Sequence, residues 1–176
     1  MKFLEFKDSD YEIHSRPKLD RILLELCHRV IKGQKHDPVK YGMVAACVLD
    51  PKNRKVFGVN EAAGDGKRRH AERVAIDRYI ENYGPVPQGS IILTTLSPCN
   101  EYGTEMADER YGESCTDIIN ESQCRKVYCG YMDPSQQDEH ARYNLEETDN
   151  KDIQRMCEKF ADTFLNTVTN SGKDEK

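Results

Sequence analysis

The sequence contains no tryptophan, no excess of positive charge and no apolar run long enough to cross a membrane. A membrane-spanning helix needs about 20 consecutive apolar residues, so we expect no membrane association of that kind. Acidic residues outnumber basic ones by 31 to 26, and a net negative chain repels nucleic acid and anionic lipid unless basic side chains cluster locally. The missing tryptophan removes one of the aromatic residues on which single-stranded nucleic acids stack.

The first residues also lack the features of a secretion signal. Charged side chains interrupt residues 1–6, where a signal peptide would carry its apolar stretch. Seven cysteines, an odd number, then predict reduced thiols and a cytoplasmic location. The 176 residues suffice for one domain with its own core. We assign 1–14 to an N-terminal extension, 15–169 to the functional domain and 170–176 to a disordered tail.

Hydrophobic periodicity predicts helices and strands that alternate along the chain. Apolar residues three and four positions apart indicate amphipathic helices, and short apolar runs indicate buried strands. The predicted helices cover 17–33, 70–83, 115–120 and 152–168, and the predicted strands cover 43–49, 55–60, 90–96 and 125–131. This order predicts an α/β fold of three layers, in which helices cover both faces of a central mixed sheet. The polar stretch 135–150 is interpreted either as a lid or as a disordered connection.

Three residues have the chemistry of a zinc site that keeps one position open. His70 offers an imidazole nitrogen, and Cys99 and Cys115 offer thiolates. Three protein ligands leave the fourth tetrahedral position for water, as in catalytic rather than structural zinc sites. Glu72 follows His70 by two residues, so it could handle the proton of that water without binding the metal. A His-x-Glu followed later by Pro-Cys is the arrangement of zinc-dependent nucleobase deaminases.

The predicted elements bring these residues to one place. His70 opens one helix, Cys115 opens another, and Cys99 follows the end of a buried strand, where ligand sites gather in α/β sheets. A helix N-terminus also lowers the pKa of a thiol, which favours the thiolate that a metal needs. Cys124 and Cys129 are the alternatives to Cys115 as the third ligand, although their places in a turn and a strand favour packing roles.

From residue 17 to residue 134 the chain resembles the cytidine-deaminase superfamily, and within it most resembles the pyrimidine deaminase domain of riboflavin biosynthesis. The resemblance implies that His70, Cys99 and Cys115 bind zinc, that Glu72 is the proton shuttle, and that the fold has three layers. The segments that carry it are 70–72, 93–99, 102–103, the helix at 115 and 127–134.

Three segments differ from that branch, one of which is 37–42, where the riboflavin branch usually has an Asn-Pro-containing segment that contacts substrate. Fifteen residues, 100–114, separate the second proposed ligand from the third, more than in the riboflavin enzymes, and they are placed to shape substrate access. The strand ending Gly58-Val59-Asn60 resembles the nucleoside, nucleotide and tRNA deaminases, in which the asparagine holds the sugar. The substrate therefore does not follow from the resemblance.

We predict a zinc-dependent hydrolytic deaminase of a small-molecule aminopyrimidine nucleotide or nucleoside, of riboflavin-pathway or cytosine and dCMP type. Zinc-bound hydroxide would attack the carbon bearing the amine, Glu72 would transfer the proton, and ammonia would leave. The alternative is a deaminase of cytosine or adenine within RNA or single-stranded DNA, which needs a wider basic surface than this chain offers. A third interpretation is a catalytically silent, metal-bound domain that serves as a partner in a complex. The presence of Glu72 disfavours it, because a degenerate site usually loses the proton shuttle first. We expect a homo-oligomer.

Substrate contacts are sought beside the predicted zinc ligands. The basic run 67–69 precedes a helix N-terminus, so it is interpreted either as a solvated loop or as a phosphate site. The asparagine that ends the second strand is interpreted as a sugar or base contact, or else as an ordinary turn residue. The residues assigned to substrate binding are Asn60, Lys67, Arg68, Arg69, Ala71 and Ser97.

Overall fold

A computed structural model describes residues 15–36, 41–62, 68–99, 114–134 and 141–171. Within these ranges lie four helices and six strands. In chain order they are α1 (Arg16–His36), β1 (Tyr41–Leu49), β2 (Lys55–Ala62), β3 (Arg68–Arg69), α2 (Ala71–Tyr83), β4 (Ile91–Leu96), α3 (Cys115–Glu121), β5 (Lys126–Tyr131), β6 (Asn144–Glu147) and α4 (Lys151–Ser171).

The strands form one mixed sheet in the order β3-β2-β1-β4-β5-β6. The first part is antiparallel: β1 pairs with β2 on one side and with β4 on the other, and β2 pairs with β3. The second part is parallel, from β4 through β5 to β6. Because β4 and β5 run in the same direction, their carboxyl ends lie at the same edge of the sheet, next to the start of α3.

Two separate hydrophobic clusters cover the two faces of the sheet. Helices α1 and α4 pack on one face, where Leu23, Leu26 and Ile153 contact alternate residues of β1 and β4. Helices α2 and α3 pack on the other face, where Tyr79 and Ile119 lie against the intervening residues of the same strands. This alternation follows from the two-residue repeat of a strand. The predicted three-layer α/β architecture is confirmed.

The sequence predicted four of the six strands, namely β1, β2, β4 and β5. It missed β3, which has only two residues, and β6, whose sequence Asn-Leu-Glu-Glu is polar and half-buried. The missed strands lie at the two edges of the sheet, where one side of the ladder is unpaired and an apolar run is not required. Residues 144–147 are therefore neither a lid nor a disordered connection, and 135–140 lie outside the described residues.

Three helices extend beyond their predicted ends, α1 and α4 by three residues each and α3 by one residue. Helix α1 continues past Gly33 to His36, and α4 continues to Ser171, two residues into the predicted tail. Glycine weakens a helix without necessarily ending it, which explains the first difference. The predicted extension 1–14 and the rest of the tail, 172–176, lie outside the described residues. Of the helices described, none combines the length and the apolarity needed to cross a membrane.

Gly58 allows α2 to lie directly on β2. A Cβ atom at this position would overlap backbone atoms of Ala71 and Ala75. Glycine is used where two backbones approach this closely, because any side chain would force them apart. The close approach fixes the first turn of α2, which carries Glu72, against the sheet.

Candidate metal centre

His70 stands immediately before α2, in the N-cap position with an extended backbone. An N-cap side chain normally accepts a hydrogen bond from the first turn, but the His70 side chain makes no such capping bond. Its ring nitrogen Nδ1 instead faces two cysteine sulfurs. The helix start therefore orients an imidazole toward the carboxyl end of β4.

Cys99 and Cys115 are joined through the start of α3. Ser114 and Asp117 form a reciprocal capping box, which fixes the N-terminal turn of this helix. The backbone N–H of Cys115 donates to Cys99 Sγ at 3.3 Å, and the N–H of Thr116 donates to Cys99 O at 3.0 Å. The first N–H groups of a helix have no partner within the helix. Here two of them hold Cys99, three residues beyond the end of β4.

The three predicted ligands converge. His70 Nδ1 lies 3.2 Å from Cys115 Sγ and 3.5 Å from Cys99 Sγ, and the three donor atoms all lie within 4.8 Å of one another. In a tetrahedral zinc site, Zn–N and Zn–S bonds of about 2.0 and 2.3 Å place nitrogen and sulfur about 3.6 Å apart. One imidazole and two thiols at these separations fit zinc.

The alternatives to Cys115 lie elsewhere. Among the described residues, the group of His70, Cys99 and Cys115 is the one cluster of three or more potential metal ligands. Cys124 packs with α2 and α3, while Cys129 lies inside β5, and burial raises the pKa of both thiols. Neither sulfur belongs to the cluster around His70, and this separation, rather than the pKa, argues against both as the third ligand.

The electrostatics around Cys99 favour a thiolate. Hydrogen bonds from the Cys115 side chain and from His70 hold the pKa of Cys99 well below its ordinary value, against the opposing effect of burial. Cys99 also accepts the backbone N–H described above. The neighbouring Cys115 has a raised pKa, because Cys99 lies beside it and it is buried. A thiol that favours the thiolate beside a second thiol suits a divalent cation, because zinc binds cysteine in its deprotonated form.

Glu72 lies beside this cluster and is almost fully buried, with 3% of its surface exposed. Its Oε2 is 3.5 Å from Cys115 Sγ, and its Oε1 is 2.9 Å from the hydroxyl oxygen of Thr94. Burial raises the pKa of the Glu72 carboxyl, although the nearby His70 acts in the opposite direction. A carboxyl group in such surroundings can accept a proton and hold it, as a general acid–base catalyst must.

The predicted substrate contacts have varied surroundings. Asn60 is buried, and its Oδ1 accepts the backbone N–H of Val44 at 3.1 Å, where the pairing of β1 with β2 is irregular. The Asn60 oxygen is thus engaged in the sheet, and among the described residues its amide N–H groups are shown with no partner. The Ser97 hydroxyl accepts the backbone N–H of Asp133 at 2.9 Å. Ala71 has no exposed surface.

The basic run is described only in part. Lys67 lies outside the described residues, and Arg68 is placed by its backbone, which forms β3. Arg69 contacts two carboxylates, Glu61 at 3.2 Å and Asp77 at 2.5 Å. Its charge is thus already engaged beside the site, which its place in a basic run did not indicate.

The sequence also gave no role to Thr94, which contacts Glu72. The residue stands in a strand whose six residues are all buried, so the sequence pattern predicts only a strand residue at this position. A hydroxyl inside such a strand must find a hydrogen-bond partner, so its presence among apolar residues was a usable signal. Its partner could not be identified without the fold.

Comparison with known proteins supports zinc as the cofactor of this chain. The family described as "Cytidine and deoxycytidylate deaminase zinc-binding region" matches residues 18–131. No curated protein matches the sequence.

Three solved structures illustrate the shared fold. A diaminohydroxyphosphoribosylaminopyrimidine deaminase/5-amino-6-(5-phosphoribosylamino)uracil reductase from Thermotoga maritima is 22% identical, with a TM-score of 0.58 over 84% of this chain and 42% of that one. The Aspergillus oryzae Rib2 deaminase in complex with DARIPP is 14% identical, with a TM-score of 0.54 over 87% of this chain and 100% of that one. The dCMP deaminase of cyanophage S-TIM5, in complex with dCMP and dUMP, is 17% identical, with a TM-score of 0.52 over 76% and 99%. The chain spans about two fifths of the Thermotoga protein.

Proposed function

Because the chain belongs to the cytidine and deoxycytidylate deaminase zinc-binding family, we propose that it is a hydrolytic deaminase of an aminopyrimidine nucleotide or nucleoside. The reaction exchanges an amino group on the pyrimidine ring for a carbonyl oxygen, consuming water and releasing ammonia. The observation that carries this proposal is the contact between the zinc ligand set and a buried carboxyl group, Glu72.

His70, Cys99 and Cys115 would hold the metal. When bound, zinc supplies a water-derived nucleophile at neutral pH, because it lowers the pKa of water to about 7. The ligands come from two helix starts and a strand end, and hydrogen bonds between Cys115 and Cys99 keep the sulfurs in place. The protein thus presents its three ligands already assembled, which reduces the cost of ordering them around the metal.

Glu72 would move the protons. Its Oε1 is held by Thr94 and its Oε2 lies beside Cys115, so Oε2 is the oxygen placed next to the proposed metal ligands. Glu72 would take one proton of the water and pass it to a ring nitrogen, and it would then pass the second proton of the water to the amine, which departs as ammonia. Burial favours the protonated carboxyl between these steps.

Two observations support an aminopyrimidine nucleotide or nucleoside as the substrate: the ligands of related structures and the side chains proposed to meet it. One deaminase of the same fold was solved with DARIPP, and another was solved with the pyrimidine nucleotides dCMP and dUMP. The N–H groups of Asn60 would donate to the sugar or base, with Ser97 and Ala71 lining the same end of the sheet. Lys67 and Arg68 would meet a phosphate, while Arg69 would do so only by giving up Glu61 or Asp77.

The proposal is tested by ammonia release from the zinc-loaded protein across a substrate panel. The panel contains cytidine, deoxycytidine, their monophosphates, the riboflavin-pathway diaminopyrimidine ribotide, adenosine, and short single-stranded RNA and DNA. The Glu72→Gln protein is the blank. We expect turnover of a monophosphate or a nucleoside and none of the polynucleotides.

Two comparisons within the panel refine the result. Turnover of a monophosphate without turnover of its nucleoside assigns the phosphate contact, and Arg68→Ala should then raise KM for the monophosphate alone. Turnover of polynucleotide only would contradict the proposal and make the chain a nucleic acid deaminase. Bound zinc without turnover of any substrate would also contradict it.

A further inference from the structure

Strand β4 carries two neighbouring threonines whose hydroxyls have different partners. The Thr95 hydroxyl accepts the backbone N–H of Ala45 at 3.1 Å, so it serves the pairing of the sheet. The Thr94 hydroxyl lies on the other face, toward α2, and reaches Glu72. Both residues are essentially unexposed, at 0% and 1%. Each buried hydroxyl thus has a hydrogen-bond partner, as burial requires. Of the two, Thr94 is the one that contacts the carboxyl group of the site.

The Thr94 hydroxyl is fixed on both sides. Its oxygen lies 2.9 Å from Glu72 Oε1 and 2.8 Å from the carbonyl oxygen of Leu96. Leu96 O belongs to the same strand and can only accept, and the hydroxyl has a single hydrogen. The hydroxyl therefore donates to Leu96 O when Glu72 carries a proton and donates to it, and it donates to Glu72 Oε1 when the carboxyl group is ionised. Threonine is also branched at Cβ, which restricts its rotamer. Glu72 is thus held by a group that itself has little freedom to move.

We propose, on the basis of the function proposed above, that Thr94 is a positioning residue for Glu72. By engaging Oε1, Thr94 sets the rotation of the carboxyl group about its last side-chain bond. Oε2 is then directed to the side of Cys115, 3.5 Å from its sulfur. Without the hydroxyl, this terminal torsion has a broad preference, and no other described side chain is shown holding Oε1.

The contact also suits a carboxyl group that gains and loses a proton. A threonine hydroxyl can donate one hydrogen bond and accept others. It can therefore donate to the carboxylate form of Glu72, and it can accept from the carboxylic acid form while donating to Leu96 O. The position of Glu72 is kept in both forms, which a simple donor such as a lysine would not achieve.

The test compares four zinc-loaded proteins: wild type, Thr94→Val, Thr94→Ser and Thr148→Val. Valine keeps the shape of threonine and removes the hydroxyl, and serine restores the hydroxyl. Thr148 provides the matched control, because it is itself buried and its hydroxyl donates to a half-buried carboxylate, that of Asp20 at 2.6 Å, on the α1 side of the sheet. Zinc content, unfolding midpoint, kcat, KM and the crystallographic position of Glu72 are measured for each protein.

We expect Thr94→Val to bind zinc fully, to keep KM within about twofold and to lose about tenfold or more in kcat, since small misplacements of a catalytic group are costly. Thr94→Ser should recover most of that loss. In the crystal structure of zinc-loaded Thr94→Val, the Glu72 carboxyl group should be rotated or divided between conformers. Thr148→Val should lower the unfolding midpoint and leave kcat unchanged.

Three results would overturn the inference. These are a wild-type kcat in Thr94→Val, an equal loss of kcat in Thr148→Val, and a Glu72 carboxyl group that keeps its position in the Thr94→Val crystal structure. If the wild-type protein turns over no substrate, the proposed function fails, and the crystal structure alone then decides the role of Thr94.

Discussion

Glu72 Oε2 lies 3.5 Å from Cys115 Sγ, although the two residues are 43 positions apart in the sequence. Glu72 lies in the first turn of α2, and Cys115 is the first residue of α3. The contact places a group able to carry protons against a group able to bind zinc, in a part of the protein with almost no exposed surface. The predictions that follow test the ligands, the support of this contact by the fold, and the stability of the fold.

Replacing either cysteine of the site should remove the metal. We expect Cys99→Ala and Cys115→Ala each to lose most bound zinc, because two remaining protein ligands are too few for a tight site. The measurement is zinc per chain after dialysis against a weak chelator. Cys129→Ala, which removes a buried cysteine of β5 outside the cluster, should retain zinc. Full zinc in Cys115→Ala together with loss in Cys129→Ala would assign the third ligand to Cys129.

Gly58→Ala should disturb the site from a distance. The added methyl group would overlap backbone atoms of Ala71 and Ala75, so α2 must move away from β2 and carry Glu72 with it. We expect a lower free energy of unfolding by about 2 kcal/mol or more, in the range of overpacked cores, and a reduced kcat. Chemical denaturation and steady-state kinetics measure the two effects.

Gly89→Ala is the matched control for that substitution. It adds a methyl group at a positive φ of 85°, and Pro51 is its nearest neighbour, at 3.4 Å. It should therefore cost stability through backbone strain without changing kcat. If Gly58→Ala reduced stability alone and left kcat at the wild-type value, the close approach of α2 to β2 would have no part in placing Glu72.

Asp50 should make the stability depend on pH. Its carboxylate is buried and accepts hydrogen bonds from Tyr79 at 2.6 Å and from Arg54 at 2.5 Å. Burial alone would raise its pKa, but these bonds outweigh burial and hold the pKa of Asp50 below its ordinary value. Because the pKa is lower in the folded state than in the unfolded state, the ionised group stabilises the fold above about pH 4, and this contribution is lost as the pH falls through the folded-state pKa.

The corresponding experiment compares wild type with Asp50→Asn between pH 3 and pH 7. At pH 7 the substitution should lower the free energy of unfolding by about 2 kcal/mol, as for hydrogen bonds to a charged group. The difference should shrink below about pH 4. Asp149→Asn is the control, because the pair of Asp149 with Arg16 is exposed and such pairs contribute little. A difference that stays constant over the whole pH range would contradict the assignment.

The site residues could be predicted from the sequence where the residue types and their local spacing point to the same place. His70 and Glu72 are two residues apart at a helix start, and Cys99 follows an apolar strand, so both identity and position could be inferred from neighbouring residues. Cys115 required the fold to bring it back across residues 100–114, yet its place at a helix start was a local signal as well. The layer order was predictable because strand and helix periodicities differ.

What could not be predicted depends on contacts between distant segments. Arg69 pairs with two carboxylates, Glu61 of β2 and Asp77 of α2. Because both partners lie on other elements, the basic run itself did not indicate that one of its charges is engaged. Strand β6 is defined by pairing with β5 and not by its own polar sequence. Thr94 acquires a role only through Glu72, which the packing of α2 on the sheet brings to it.

The central claim is that this protein is a zinc-dependent deaminase in which Glu72 moves the proton. The most direct measurement is ammonia release by zinc-loaded wild type and by zinc-loaded Glu72→Gln, on a pyrimidine nucleotide that the wild type accepts, with the zinc content of both proteins determined. We expect the same zinc content per chain in the two proteins. We also expect turnover to fall by about 100-fold or more in Glu72→Gln, which is the usual contribution of a general acid–base group. Equal turnover in the two zinc-loaded proteins would contradict the central claim.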